Sequence, residues 1–185
     1  MKIFYSLVLT AATWALLSFD MPKGWFKAGS EPDKYEMGVD PGAGMNLTKA
    51  ATIQSNTDKI KGFGTLMQNF MPDKYIGKKI RMTGFMKSKD VDVWAGFWLR
   101  VDGEKGKNSL SFDNMHDRPI KGNSDWTEYE IVLDVPEGAT NIAFGALLSG
   151  TGKIWFDNIK FEEVKHAKTT GGKMQKDPQN LNFDE

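Results

Sequence analysis

From Gly24 to Val164 the chain is a series of short apolar segments separated by turn residues. Apolar and polar positions alternate within the segments, the period of a strand half-buried on one face. The pattern predicts strands over Tyr35–Val39, Ala50–Ser55, Gly64–Phe70, Lys79–Ser88, Val93–Val101, Ser109–Asn114, Thr127–Val135, Asn141–Ser149 and Lys153–Glu163. Turn clusters such as Asp40-Pro41-Gly42-Ala43-Gly44, Asp102-Gly103-Glu104-Lys105-Gly106 and Val135-Pro136-Glu137-Gly138 fall between them. No sustained 3.6-residue periodicity runs through this body. An all-β, two-sheet antiparallel β-sandwich follows, because each half-apolar sheet has to bury one face on another.

One strand has an unusual second face. In Trp94-Ala95-Gly96-Phe97-Trp98-Leu99-Arg100-Val101, one side receives Ala95, Phe97, Leu99 and Val101, a wholly apolar core face. The other receives Trp94, Gly96, Trp98 and Arg100: two indoles, a gap between them and a fork of donors. Asn141–Ser149 behaves alike, with Ile142, Phe144, Ala146 and Leu148 on one side and Ala143, Gly145 and Leu147 on the other. If the two strands are neighbours, the small residues floor a shallow groove. Aromatic platforms with a few polar groups suit sugar rings, whose C–H face packs on an indole while hydroxyls meet polar side chains. The alternative is a second small core covered by a loop or by the N-terminal segment.

Composition narrows the chemistry. The chain has 185 residues, 24 basic and 24 acidic, so it has no bulk positive charge for binding nucleic acid. With no cysteine, disulfides, thiolate metal sites and cysteine nucleophiles are excluded, and two histidines exclude a multi-histidine metal centre. Met1-Lys2 precedes an uncharged apolar run, Ile3 to Phe19, ended by Asp20. Residues 1–20 therefore predict an export signal, or an uncleaved N-terminal anchor as the membrane-attached alternative, and a secreted or periplasmic location. Residues 24–164 suffice for one core without disulfides. Residues 165–185, rich in Lys, Thr, Gly, Gln and Asn, read as a disordered polar tail. Asn46-Leu47-Thr48 fits a glycosylation sequon, but an exported chain without cysteine points to a bacterial source in which it goes unused.

Polar candidates concentrate in Phe112-Asp113-Asn114-Met115-His116-Asp117-Arg118-Pro119. Asn114 is the leading ligand candidate, with Asp113 and Arg118 behind it; His116 reads as solvated. Gln68, mid-strand among apolar neighbours, either bonds a loop backbone or reaches a ligand. The chain contains no G-x-S-x-G elbow, no H-E-x-x-H and no phosphate-binding loop. A carboxylate pair for glycoside chemistry would have to come from Asp113, Asp117 and Glu130, while Glu128 and Glu130 alternate as a solvated face.

Several segments, in order, resemble the jelly-roll carbohydrate-binding modules of galactose-binding-like architecture. Gly62-Phe63-Gly64 leading to Gln68 looks like an early strand of that family. Tyr75-Ile76-Gly77-Lys78-Lys79-Ile80-Arg81-Met82-Thr83-Gly84 looks like its turn and long strand. Trp126-Thr127-Glu128-Tyr129-Glu130, Ala139-Thr140-Asn141-Ile142-Ala143-Phe144-Gly145 and Gly152-Lys153-Ile154-Trp155-Phe156-Asp157-Asn158 are similar to later strands. The resemblance implies a jelly roll and a carbohydrate partner. It also implies a structural calcium near the final-strand aspartate, matched by Asp157, although Gly24-Trp25-Phe26-Lys27-Ala28-Gly29 lacks the glutamate often found there. No other cofactor is expected. The leading expectation is an exported, non-catalytic carbohydrate-binding module using Trp94, Trp98, Arg100, Asn114, Asp113, Gln68 and Arg118. The alternatives are a structural or protein-interaction sandwich with a protein partner, and a small glycan-active enzyme.

Overall fold

The computed structural model describes residues 19–104 and 109–173. They form ten strands: β1 (Phe26–Gly29), β2 (Tyr35–Asp40), β3 (Ala50–Ser55), β4 (Phe63–Phe70), β5 (Lys78–Asp102), β6 (Ser109–Asp113), β7 (Ile120–Val135), β8 (Asn141–Ser149), β9 (Lys153–Val164) and β10 (Gly172–Lys173). All pairings are antiparallel.

The hydrogen-bonded network is continuous, yet it folds into two layers because β5 belongs to both. Its first half lies between β7 and β9, giving one layer in the order β2-β3-β9-β5-β7. Its second half lies between β8 and β6, giving the other layer, β1-β4-β8-β5-β6-β10. The sequence predicts two strands here, split at Lys89-Asp90-Val91-Asp92, because charged residues are poor strand formers. The chain instead runs on through that stretch and bends. Asp90 takes the left-handed conformation (φ 53°). The register against β7 also shifts repeatedly between Met86 and Ala95, as bulges do where a sheet changes direction.

The inner faces meet in one apolar core. Phe97 of β5 stands against Phe156 of β9 with ring centroids 6.0 Å apart, and Phe144 of β8 against Phe161 of β9 at 4.8 Å. Gly84 permits this approach: a Cβ there would lie 2.9 Å from the Phe97 ring. Ala95, Phe97, Leu99 and Val101 are all buried, as their alternation predicts.

Both ends of the described chain are tied to the sandwich. Asp20 bridges to Val39. The tail expected to be loose from Lys165 is held by Thr170, whose N–H donates to the Val132 carbonyl (2.9 Å) and whose hydroxyl accepts from the Val132 N–H (2.9 Å). β10 then pairs with β6. The apolar N-terminal run before Phe19, and the tail beyond Lys173, lie outside the described residues.

Candidate functional site

The outer face of the β1-β4-β8-β5-β6-β10 layer presents its side chains in cross-strand rows. Phe63, Ser149 and Trp94 stand side by side in the first. Ala28, Thr65, Leu147 and Gly96 form the second, and Phe26, Met67, Gly145 and Trp98 the third. Asn69, Ala143, Arg100 and Phe112 form the fourth. Between the rows lies a groove of about 440 Å³, lined by Trp94, Trp98, Arg100, Asn114 and Phe112 from the β5–β6 side and by Phe63, Thr65, Met67, Leu147 and Ser149 from the other. That size is within the ordinary range of small-molecule sites.

The two tryptophans differ in role. Trp98 is 7% exposed and packs with Ala143 and Leu147 in a small apolar cluster separate from the main core. Its indole N–H donates to the Thr65 hydroxyl (2.8 Å), which in turn donates to the Ala146 carbonyl (2.7 Å). Trp98 is thus a fixed floor. Trp94 is half-buried, packs on the same cluster and meets the exposed His116 ring edge-on at 5.7 Å. Accessible aromatic surface comes also from Phe63 (37% exposed), Phe112 (38%) and, beside the groove, Phe26 (43%). The gap expected at Gly96 is filled rather than open. A Cβ there would meet the Met115 Cβ at 3.2 Å, because the turn after β6 folds over it, with Met115 in the left-handed conformation (φ 60°).

Arg100 lies on the groove wall, 6.0 Å from the Trp98 ring, with its charge compensated in place. Its Nε donates to Asp102 Oδ1 (2.7 Å) and its Nη2 to Asp102 Oδ2 (3.1 Å). The Asn141 amide also donates to Asp102 Oδ2 (3.0 Å). Asn114 lines the groove and accepts the His116 N–H through Oδ1 (3.2 Å), and its amide nitrogen has no partner among the described residues.

Four predicted residues lie elsewhere. Asp113 alternates with Phe112 and Asn114, so it points away from the groove. It is buried, receiving Arg118 Nη2 (2.7 Å) and the Met115 N–H (2.8 Å). Burial opposes its charge, yet Arg118, Thr170 and the Met115 N–H together hold its carboxyl below the usual carboxylate range. Burial opposes the Arg118 charge as well, and Asp113 raises that guanidinium above its ordinary value. The pair fixes the β6 turn and the strand that follows it. Gln68 shares its side of β4 with Leu66 and Phe70, and its amide lies under Gly24 rather than in the groove. Asp157 accepts the N–H of Asn158 (2.7 Å). Among the described residues no three His, Asp or Glu side chains are grouped to hold a metal ion. The calcium implied by the resemblance therefore has no side-chain cluster around Asp157.

A second concavity, about 770 Å³, lies on the outer face of the other layer around Arg81, Tyr129, Glu130, Lys160 and Glu162. Ion pairs cross it, from Arg81 Nη1 to Glu162 (2.9 Å) and from Arg81 Nε to Glu130 (3.2 Å). This is the solvated charged face expected for Glu128 and Glu130.

No known family profile matches the sequence. Among solved structures, the chain aligns with the xylan-binding family 22 carbohydrate-binding module of a Paenibacillus barcinonensis protein. The TM-score is 0.56 and the identity 11%, covering 81% of this chain and 92% of the other. The chain is a jelly-roll β-sandwich. Bacteriophage CBA120 tailspike protein 4, in its enzymatically active domain, contains a similar fold (TM-score 0.59, 14% identity), covering 77% of this chain and 20% of the phage one. In sequence, the chain is 40% identical over 173 residues to an uncharacterized HTH-type transcriptional regulator of Bacillus subtilis, YbfP. The match takes in 88% of this chain and 57% of that protein, so the chain spans little over half the length of the curated relative it matches.

Proposed function

We propose that this jelly roll is an exported, non-catalytic carbohydrate-binding module, secreted or periplasmic, that holds a sugar chain in the groove of the β1-β4-β8-β5-β6-β10 layer. The observation that carries the reading is the groove itself: aromatic surface from Trp94, Phe63 and Phe112 set around a few hydrogen-bonding groups. A pyranose presents an apolar C–H face and a rim of hydroxyls, and this lining offers a partner to each. Binding without turnover is supported by the lining, which among the described residues contains no carboxylate, whereas glycoside hydrolysis uses two. The fold by itself is silent on ligand.

Titration of the protein against a panel of soluble polysaccharides and oligosaccharides tests the proposal, with Trp94→Ala alongside. The native protein is expected to bind a member of the panel in the micromolar to millimolar range. Trp94→Ala should weaken that binding about tenfold or more, some 1.4 kcal/mol, while unfolding at nearly the native temperature, because Trp94 is only half-buried. Unchanged affinity in the variant would remove the groove from the account.

The identity to YbfP favours a second reading. A helix-turn-helix is built from helices, and the described residues contain no α-helix. The shared jelly roll is then the part of that relative outside its DNA-binding segment, where the same groove serves as a ligand sensor. In this reading the partner of the module is protein, and the ligand is a small saccharide.

A further inference from the structure

We infer that Asp102 is a specificity-determining residue: by clamping Arg100 it sets the groove for neutral sugars and against acidic ones. The inference rests on the carbohydrate reading above and names the class of sugar. Among the described residues that line the groove, Arg100 carries the only charged side chain. Left free, a guanidinium on a groove wall is a bidentate receptor for a carboxylate. Here the Nε–Nη2 edge of that receptor is already occupied by a carboxylate, which also compensates its charge. Arg100 and Asp102 are two apart on β5 and so share a face, and two nitrogens of Arg100 meet the two oxygens of Asp102 at 2.7 and 3.1 Å.

The clamp is itself fixed. Asn141 holds Asp102 Oδ2 from the neighbouring strand at 3.0 Å, and the Asp102 carbonyl accepts the Thr140 N–H at 2.8 Å. The Asp102 side chain is 24% exposed and that of Arg100 43%, so the carboxylate sits behind the guanidinium while one edge of the guanidinium stays in reach. What remains to meet a ligand is hydrogen-bonding capacity with little net charge. It consists of Arg100 Nη1 and the Asn114 amide nitrogen, which have no partner among the described residues, and the Ser149 hydroxyl, which donates to the Gly62 carbonyl (3.4 Å) and is left as an acceptor. These groups suit hydroxyls. A uronate carboxylate would have to approach the guanidinium with Asp102 already on it, meeting like charge and displacing two good hydrogen bonds.

Asp102→Asn tests this directly, since it keeps the shape and an acceptor for Asn141 but releases the charge on Arg100. Xylohexaose, cellohexaose and mannohexaose serve as neutral probes and hexagalacturonate as the acidic one, titrated calorimetrically with thermal unfolding as the check on folding. The wild type is expected to prefer a neutral probe. Asp102→Asn should gain about tenfold in affinity for hexagalacturonate, a gain that shrinks as salt is raised and vanishes in the Asp102→Asn/Arg100→Gln double variant. Neutral binding with an unchanged acidic-to-neutral ratio in Asp102→Asn would overturn the inference and leave the carbohydrate reading standing. So would a wild type that prefers hexagalacturonate. No binding of any probe by either folded protein would overturn both. Should Asp102→Asn fail to fold, Asp102→Ser is the second variant: it also releases the charge on Arg100 and should raise the affinity for hexagalacturonate relative to the neutral probes, and an unchanged ratio would overturn the inference.

Discussion

Trp98→Ala is expected to lower the free energy of unfolding by about 3–5 kcal/mol, the usual cost of emptying a large aromatic site. The ring is nearly covered by Ala143, Leu147, Met67 and Trp94. Its N–H also satisfies the buried Thr65 hydroxyl, whose other bond goes to the Ala146 carbonyl. Truncation leaves a void on the outer face and removes the donor that fixes Thr65. Urea unfolding measures the loss, seen as a lower midpoint at unchanged slope. A loss below about 1 kcal/mol would mean that the site collapses freely around the missing ring. The same geometry makes Trp98→Ala a poor probe of ligand contact, because lost binding would mix with a deformed floor. Trp94 and Phe112 are the informative positions.

Arg118→Met should cost about 1.5–3 kcal/mol at neutral pH, the range for a hydrogen bond to a charged partner. The Asp113 side chain is 4% exposed, and Arg118 brings two nitrogens to it, at 2.7 and 3.3 Å. Without Arg118 the carboxylate keeps the Met115 N–H and Thr170 but loses its counter-charge. The effect depends on pH with a definite sign. The Asp113 carboxyl is held below its ordinary value in the folded protein, so its contribution is fully present above the unfolded value, about 3.9. It is lost as pH falls through the lower folded value. The gap in stability between wild type and Arg118→Met is therefore expected to be constant from pH 7 to about 5 and to narrow below about 4. Thermal unfolding at pH 7, 5 and 3 measures it, and a gap independent of pH would contradict the pairing.

Strands whose alternation is uninterrupted are legible in the sequence. Ala50–Ser55 and Asn141–Ser149 end where the pattern ends. The two faces of Trp94–Val101 also fall as the alternation places them, with Phe97 and Leu99 in the core and Trp94 and Arg100 on the groove. The long strand β5 is not legible, because its continuity through Lys89-Asp90-Val91-Asp92 depends on pairing with β7 and β9, which no local propensity encodes. β1 escapes for a similar reason. Its four residues are too few for an alternation to register, their apolar pair Phe26 and Ala28 faces outward, and they are held by the edge of β4.

The candidate groove is half legible in the sequence. Trp94, Trp98, Arg100 and Asn114 are on the groove. Asp113 and Gln68 carry the right chemistry on the wrong parity, and the alternation that placed the tryptophans, applied to Phe112-Asp113-Asn114 and to Gly64–Phe70, excludes both. Phe63, Met67 and Phe112 are on the groove through cross-strand register, which fixes β4 beside β8 and β6 beside β5. In the sequence Asp102 belongs to a turn cluster, Asp102-Gly103-Glu104-Lys105-Gly106. Its role emerges only with Arg100 two residues back on the same strand and Asn141 across from it.

Nuclear magnetic resonance of labelled protein, following the indole N–H signals of its six tryptophans while the oligosaccharide panel is titrated in, tests the glycan groove most directly. Saturable shifts of the Trp94 and Trp98 signals by a neutral oligosaccharide, with Trp155 on the other layer unmoved, are the predicted result. Absence of any shift across the panel, or shifts confined to the charged face around Arg81 and Tyr129, would contradict it.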